Sequence, residues 1–172
     1  MKITFRILNK NEFSDVYKLM QLSFPPAEFI TYEKELALFN RPNYKVLVVE
    51  EHGVIQAFLA EWICLDIHYI EHFAVNPEAR GQGLGTKIMR EYLNQIKTSL
   101  VIEVEANDTL IARRRIAFYE RLGFVLSDIE YIQPLLHKTS TDVLLRLMHY
   151  PAEMSDKILY EAKREIFQTV YI

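Results

Sequence analysis

Arg80-Gly81-Gln82-Gly83-Leu84-Gly85 puts three alternating glycines between a segment that reads as a strand, His68–Val75, and one that reads as a helix, Thr86–Leu93. Glycine lets a backbone turn sharply and come close to a ligand. Free amides at the start of the following helix then converge on one spot, with the helix dipole behind them. That is the chemistry of an anion site suited to a diphosphate. Gly81, Gln82, Gly83, Leu84, Gly85 and Thr86 would form its cradle, and Arg80 adds a fixed positive charge at the edge. The loop lacks the spacing of a Walker turn, and GxGxG is not the GxGxxG of a dinucleotide-binding turn. A strand-to-helix turn without a ligand is the competing reading.

Acids fall on two strand-like segments nearby. Glu71 lies two residues before Phe73, on the same face. Glu103 shares a face with Glu105 and points away from Ile102 and Val104. A carboxylate in the floor of an apolar cleft holds its proton more tightly, which suits a general base. The alternative is a solvated or salt-bridged charge. His68 and His72 alternate with Glu71 and read as packing or surface residues. Cys64 has no activating neighbour in sequence and reads as a small buried hydrophobe. No His/Cys/Asp spacing has the form of a metal site, and there is no Gly-x-Ser-x-Gly turn. Arg113-Arg114-Arg115 reads as a solvated run at a helix start, with contact to a ligand phosphate as the alternative.

The elements that must hold these residues follow from periodicity. Lys2–Leu8 alternates as a strand. Asn11 could cap a helix bearing Phe13, Val16, Tyr17, Met20 and Phe24, which the Pro25-Pro26 pair ends. Thr31 caps a short helix to about Phe39. Val46–Glu51 and Val54–Ala60 flank His52-Gly53 as a hairpin. Tyr69–Val75 is a central strand, and a helix from Gly83 to Ile96 carries Leu84, Ile88, Tyr92 and Ile96. Leu100–Glu105 is a strand, and Thr109–Leu122 is a helix stopped by Gly123. Phe124–Ile132 and Val143–Tyr150 are strands around the polar His137–Thr141 loop. Ser155–Val170 is a last helix striped by Ile158, Leu159, Ala162, Ile166 and Val170. The order β-α-α-β-β-β-α-β-α-β-β-α predicts a mixed α/β sheet of about seven strands flanked by helices.

The glycine loop resembles the acyl-CoA loop of the GCN5-related N-acetyltransferases, Gln/Arg-x-x-Gly-x-Gly/Ala, with Arg80, Gly83 and Gly85 at its three positions. Phe73-Ala74-Val75-Asn76-Pro77-Glu78 is similar to the run that precedes that loop in the family. The run from Ala112 through Phe118-Tyr119 to Gly123-Phe124 resembles its second signature, about 35 residues further on. The resemblance implies a central sheet splayed between its fourth and fifth strands. It implies acetyl-CoA as acyl donor, with the pantetheine arm pairing to the backbone of Phe73, Ala74 and Val75. It implies an amine acceptor, Tyr119 beside the sulfur as general acid, and direct transfer without a covalent enzyme intermediate. Glu71 or Glu103, directly or through water, would take the ammonium proton, since an amine attacks only when neutral. An Asn found in many relatives seven residues before the tyrosine falls here at Ala112, and Asn107 is out of register. Acceptor choice would come from Phe24–Ile30, with Glu28, and from the 131–141 region, with Tyr131, Gln133, Pro134, His137 and Lys138. A non-catalytic acyl-CoA-binding module of the same fold is the rival implication.

The 172 residues suit a single domain, about 1–150 as core and about 151–172 as a C-terminal helical extension, acting as a monomer or homodimer. That last helix could cover the core, mask the acceptor cleft or pair subunits. A net charge of −3 argues against a dedicated nucleic-acid binder. One cysteine excludes an internal disulfide and points to a reducing compartment. No secretory h-region and no membrane-length apolar run is visible, so a cytoplasmic protein without metal or membrane partner is expected.

Overall fold

The computed structural model describes residues 2–106, 109–134 and 142–171. Its strands are β1 (Arg6–Ile7), β2 (Tyr44–Glu51), β3 (Val54–Cys64), β4 (Ile67–Val75), β5 (Leu100–Glu105), β6 (Val125–Ile132) and β7 (Leu144–Tyr150). Its helices are α1 (Phe13–Ser23), α2 (Tyr32–Leu38), α3 (Leu84–Gln95), α4 (Leu110–Glu120) and α5 (Asp156–Thr169). The element order is the one the periodicity predicts. The seven strands form one mixed sheet in the order β1-β2-β3-β4-β5-β7-β6. β4 and β5 pair in parallel, whereas β1–β2, β2–β3, β5–β7 and β6–β7 are antiparallel. The chain divides into two compact units, Met1–Trp62 with Glu71–Gln95, and Ile63–Ile70 with Ile96–Ile172.

In the first unit, the β2–β3 hairpin turns on His52 and Gly53, both at positive φ (52° and 77°), as a tight hairpin turn requires. Tyr44, Val46 and Val48 stand opposite Trp62, Ala60 and Phe58, and all six are buried. Alternating with them, Lys45 faces Glu61, and the two make a 3.0 Å ion pair. Tyr92 of α3 donates a 2.5 Å hydrogen bond to the same carboxylate, so the buried Glu61 ties helix to sheet. α3 buries Ile88, Met89 and Tyr92. α1 buries Phe13, Val16, Leu19 and Met20 and is entered by a tight turn over Lys10–Glu12, where Glu12 accepts the Asn9 amide at 3.0 Å. The start signal is therefore Asn9 with Glu12 rather than Asn11.

The first strand is shorter than its alternation predicts. The ladder joins Arg6 and Ile7 to Val48 and Leu47, and the Leu8 amide donates to the Val46 carbonyl at 2.8 Å. Further back, β1 would meet β2 where its register shifts between Val49 and Glu50. Alternation marks a strand-competent segment, but a ladder needs a regular partner.

In the second unit, β7 lies between β5 and β6, and the β4–β5 ladder joins His68, Tyr69 and Ile70 to Leu100, Val101 and Ile102. Thr109 caps α4 by accepting the Ala112 amide at 3.1 Å. Gly123 at φ +94° ends the α4 segment and sends the chain into β6. A Cβ there would meet the Tyr150 ring at 3.4 Å. Ser155 caps α5, which buries Leu159, Ala162 and Ile166. Ile158, expected on that stripe, is exposed because it lies one residue, hence about 100°, from Leu159.

Candidate active site

The glycine loop belongs wholly to the first unit. After β4, Asn76 accepts the Glu78 amide at 3.1 Å and starts a short turn over Pro77–Ala79. Gly81 and Gly83 follow at φ +80° and +71°, a region costly for any residue with a Cβ. A Cβ on either glycine would have nothing within 4 Å. The requirement for glycine is therefore conformational, and the space over the loop is open. α3 begins at Leu84, and its first turn carries no acid. The amides of Leu84, Gly85 and Thr86 precede the first intrahelical bond, Lys87 N to Gly83 O at 3.2 Å. An open cradle backed by a twelve-residue helix fits a diphosphate.

Arg80 has a second role that spacing did not reveal. Its Nε donates to the Val75 carbonyl at 2.9 Å and its Nη2 to Ser23 Oγ at 2.9 Å. The guanidinium thus braces the end of β4 against the end of α1 while its charge stays at the loop edge. Phe73 and Val75 are half-buried and Ala74 is buried, running straight into this loop. A groove of about 400 Å³ beside it is lined by Glu51, Gln56, Glu78, Ala79, Gln82, Leu84 and Lys87. Its two carboxylates, Glu51 and Glu78, make it a poorer anion site than the loop amides.

Glu71 is half-buried, and Trp62 Nε1 donates to its Oε2 at 2.7 Å. It has an acidic neighbour that the sequence reading missed, Glu35 of α2. Glu35 is 1% exposed; the Ile30 amide donates to its Oε1 at 3.2 Å, and its Oε2 has no partner. Burial first, and the Glu71 charge second, push the Glu35 carboxyl up to about 8. It therefore keeps its proton at neutral pH. The signal was present in sequence, since Tyr32, Glu35, Leu36 and Phe39 share a helix face and an acid stands among apolar neighbours. His72 is buried, and its Nε2 lies 2.9 Å from the Glu28 carbonyl. Its ring meets Phe24 edge-on at 4.9 Å. It packs the Phe24–Ile30 segment, as expected of a structural histidine.

In the second unit, Tyr119 is buried between Phe118 and Phe124, with ring centroids at 5.1 and 5.2 Å. Burial pushes its phenol up to about 12 against the opposing charge of Arg115, so it is a neutral donor at physiological pH. Glu103 is the hub of a tyrosine cluster. Tyr69 and Tyr171 donate to its Oε2 at 2.7 and 2.6 Å, and Tyr131 donates to its Oε1 at 2.5 Å. Phe167 near the end of α5 meets Tyr171, just beyond that helix, at 5.7 Å, and meets Tyr131 at 5.3 Å. Glu105 is half-buried, Arg113 and Arg114 are exposed, and Arg115 is half-buried. Cys64 is buried, as expected. Asn107 and the His137–Thr141 loop lie outside the described residues. Among those described, no group of three His, Cys, Asp or Glu side chains is arranged to hold a metal ion, and no helix is long and apolar enough to cross a membrane.

A family model described as an acetyltransferase (GNAT) domain matches residues 42–126. A Bacillus subtilis (strain 168) protein, provisionally named a ribosomal protein bS18-alanine N-acetyltransferase, is 29% identical over 98 residues. That match takes in 56% of this chain and 63% of the relative, so it spans less than two thirds of that protein. A solved Bacteroides thetaiotaomicron structure, provisionally assigned to the GNAT acetyltransferases, superposes with a TM-score of 0.89 at 26% identity over 98% of both chains. A Salmonella typhimurium structure, yncA, described as an acetyltransferase with its cofactor acetyl-CoA, shares the fold. Its TM-score is 0.62 at 20% identity, over 90% of this chain and 96% of that one. The two motifs, the matched model and the shared fold agree: residues 42–126 match an acetyltransferase (GNAT) domain, within a chain that has the fold of the GNAT acetyltransferases.

Proposed function

We propose that this chain is an acetyl-CoA-dependent N-acetyltransferase that moves the acetyl group directly onto a primary amine of a small molecule, peptide or protein. The observation that carries the reading is the left-handed Gly81/Gly83 turn opening into the start of α3. The backbone amides of residues 81–86 hold the diphosphate of the donor, and the backbone of Phe73, Ala74 and Val75 pairs with its amide-bearing arm. The donor supplies an activated thioester. Glu71 takes the ammonium proton, because an amine attacks only when neutral. Tyr119 donates a proton or hydrogen bond to the departing sulfur. Glu103 is the weaker base: with three phenols donating to it, it must surrender a hydrogen bond before it can accept a substrate proton. A net charge of −3 and a single buried cysteine support a cytoplasmic monomer or homodimer that needs neither nucleic acid nor membrane.

Calorimetric titration with acetyl-CoA, with ATP and NAD as controls, tests the reading, followed by thiol release over a panel of amines. Selective acetyl-CoA binding with turnover on an amine is the expected result. A folded protein that binds ATP or NAD as well as acetyl-CoA would overturn the loop assignment. Binding without turnover on any amine would overturn the enzyme.

A further inference from the structure

We propose that Glu35 and Glu71 together form the subsite that captures the acceptor as a primary ammonium, with Glu35 the residue that sets its affinity. The inference rests on the reading of this chain as acting on an amine. Three independent features place the subsite in the first unit. Glu35 is 1% exposed, and its Oε2 is buried with no hydrogen-bond partner. An orphaned carboxyl oxygen is costly unless something occupies its bonding direction. Its neighbour Glu71 lies half-buried, held by Trp62 Nε1, so the acid pair extends from the interior to the surface. Around the pair stands an aromatic wall. Tyr44 meets Trp62 at 4.8 Å, and Tyr17 meets Tyr32 at 5.2 Å and Phe29 at 5.8 Å. Carboxylates against aromatic faces are the chemistry that recognises an alkylammonium.

The charged and titratable groups facing the pair come from every element packed on it. Tyr17 of α1 senses Glu35 and Glu33, and Tyr44 of β2 senses both Glu35 and Glu71. Arg41 lies over the Trp62 ring at 5.8 Å. Without an acceptor, burial keeps a proton on Glu35 at neutral pH. An arriving ammonium supplies the positive charge that lets Glu35 ionise. The proton of Glu35 then leaves to solvent as the ammonium takes its place at Oε2. Capture is therefore an exchange of one proton for one ammonium, and the subsite tightens as pH rises toward 8.

The test is calorimetric titration of the full chain at pH 7 in two buffers of different ionisation enthalpy. The probes are spermidine and a hexapeptide beginning with alanine. For at least one probe, the wild type should release about one proton per molecule bound. Glu35→Gln should bind that probe about tenfold more weakly and release none. Absence of binding by both probes, binding without proton release, or equal affinity in wild type and folded Glu35→Gln would each overturn the proposal. The wild-type proton count decides the matter even if the variant does not fold. Because no acetyl-CoA is present, failure here is distinct from failure of the acetyltransferase reading, which shows as loss of acetyl-CoA binding or thiol release.

Discussion

Glu35 makes a sharp prediction about stability. In the folded chain it holds its proton up to about 8, whereas an unfolded glutamate releases it near 4.5. Between these values the folded state binds the extra proton, so its stability is greatest below the lower value and is lost as pH rises through the higher one. The slope for one proton is about 1.4 kcal/mol per pH unit, and the whole window has a ceiling on the order of 5 kcal/mol. Glu35→Gln removes the titration while keeping the shape. Its Oε1 still accepts the Ile30 amide, and its amide stands where the protonated carboxyl stood. Urea unfolding of both proteins from pH 5.5 to 9 measures the difference, and pH effects from other groups cancel. The variant should already exceed the wild type by about 2 kcal/mol near pH 6, and by a margin approaching the ceiling near pH 9. Parallel curves across that range would mean that Glu35 ionises as an ordinary carboxylate and that the argument from its burial is wrong.

Gly83→Val should fold with a loss of about 1–2 kcal/mol, from φ +71° rather than from any clash. It should lose acetyl-CoA binding in the same titration; retained affinity would remove the loop as the diphosphate cradle. Tyr119→Phe should lower turnover by about a hundredfold while changing acetyl-CoA affinity little, read by thiol release against calorimetry. Unchanged turnover would leave Tyr119 as packing alone. Tyr171→Phe should cost about 1.5 kcal/mol in urea unfolding by deleting one donor to Glu103. An unchanged midpoint would show that the end of α5 is not anchored there.

What the sequence made legible is local. The GxGxG turn, the His52-Gly53 hairpin, the helix starts at Thr31, Thr109 and Ser155, and the Gly123 stop depend on residues within a few positions of one another. The structure places each of them as expected. The less legible features depend on tertiary partners. Glu103 collects donors 34, 28 and 68 residues away, and no periodicity reports such convergence. Arg80 could be read as a charge, but its bond to Ser23 spans 57 residues. Glu35 was within reach, since an acid on the buried face of α2 contradicts amphipathic patterning. Such contradictions are where function or strain is expected. β1 went the other way: its alternation was genuine, and the irregular register of β2 denied it a longer ladder.

The two acids that alternation left equivalent are separated by what surrounds them, and a matched pair of variants follows. A base must be able to change its protonation state during turnover without dismantling its support. Among the described residues Glu71 has a single donor, Trp62, so a proton arriving there displaces little. Glu103 anchors Tyr69, Tyr131 and Tyr171 at once, so a proton arriving there must displace a phenol. Glu71→Gln should therefore lower kcat by about a hundredfold or more with the melting temperature little changed. Glu103→Gln replaces one accepting oxygen with an amide and leaves a phenol without its acceptor, at a cost of about 1–3 kcal/mol. It should lower the melting temperature while kcat, measured below that temperature, stays within a few-fold. The reverse pattern, a stable Glu103→Gln without turnover beside an active Glu71→Gln, would transfer the base to β5. It would then require the tyrosine cluster to open during each cycle.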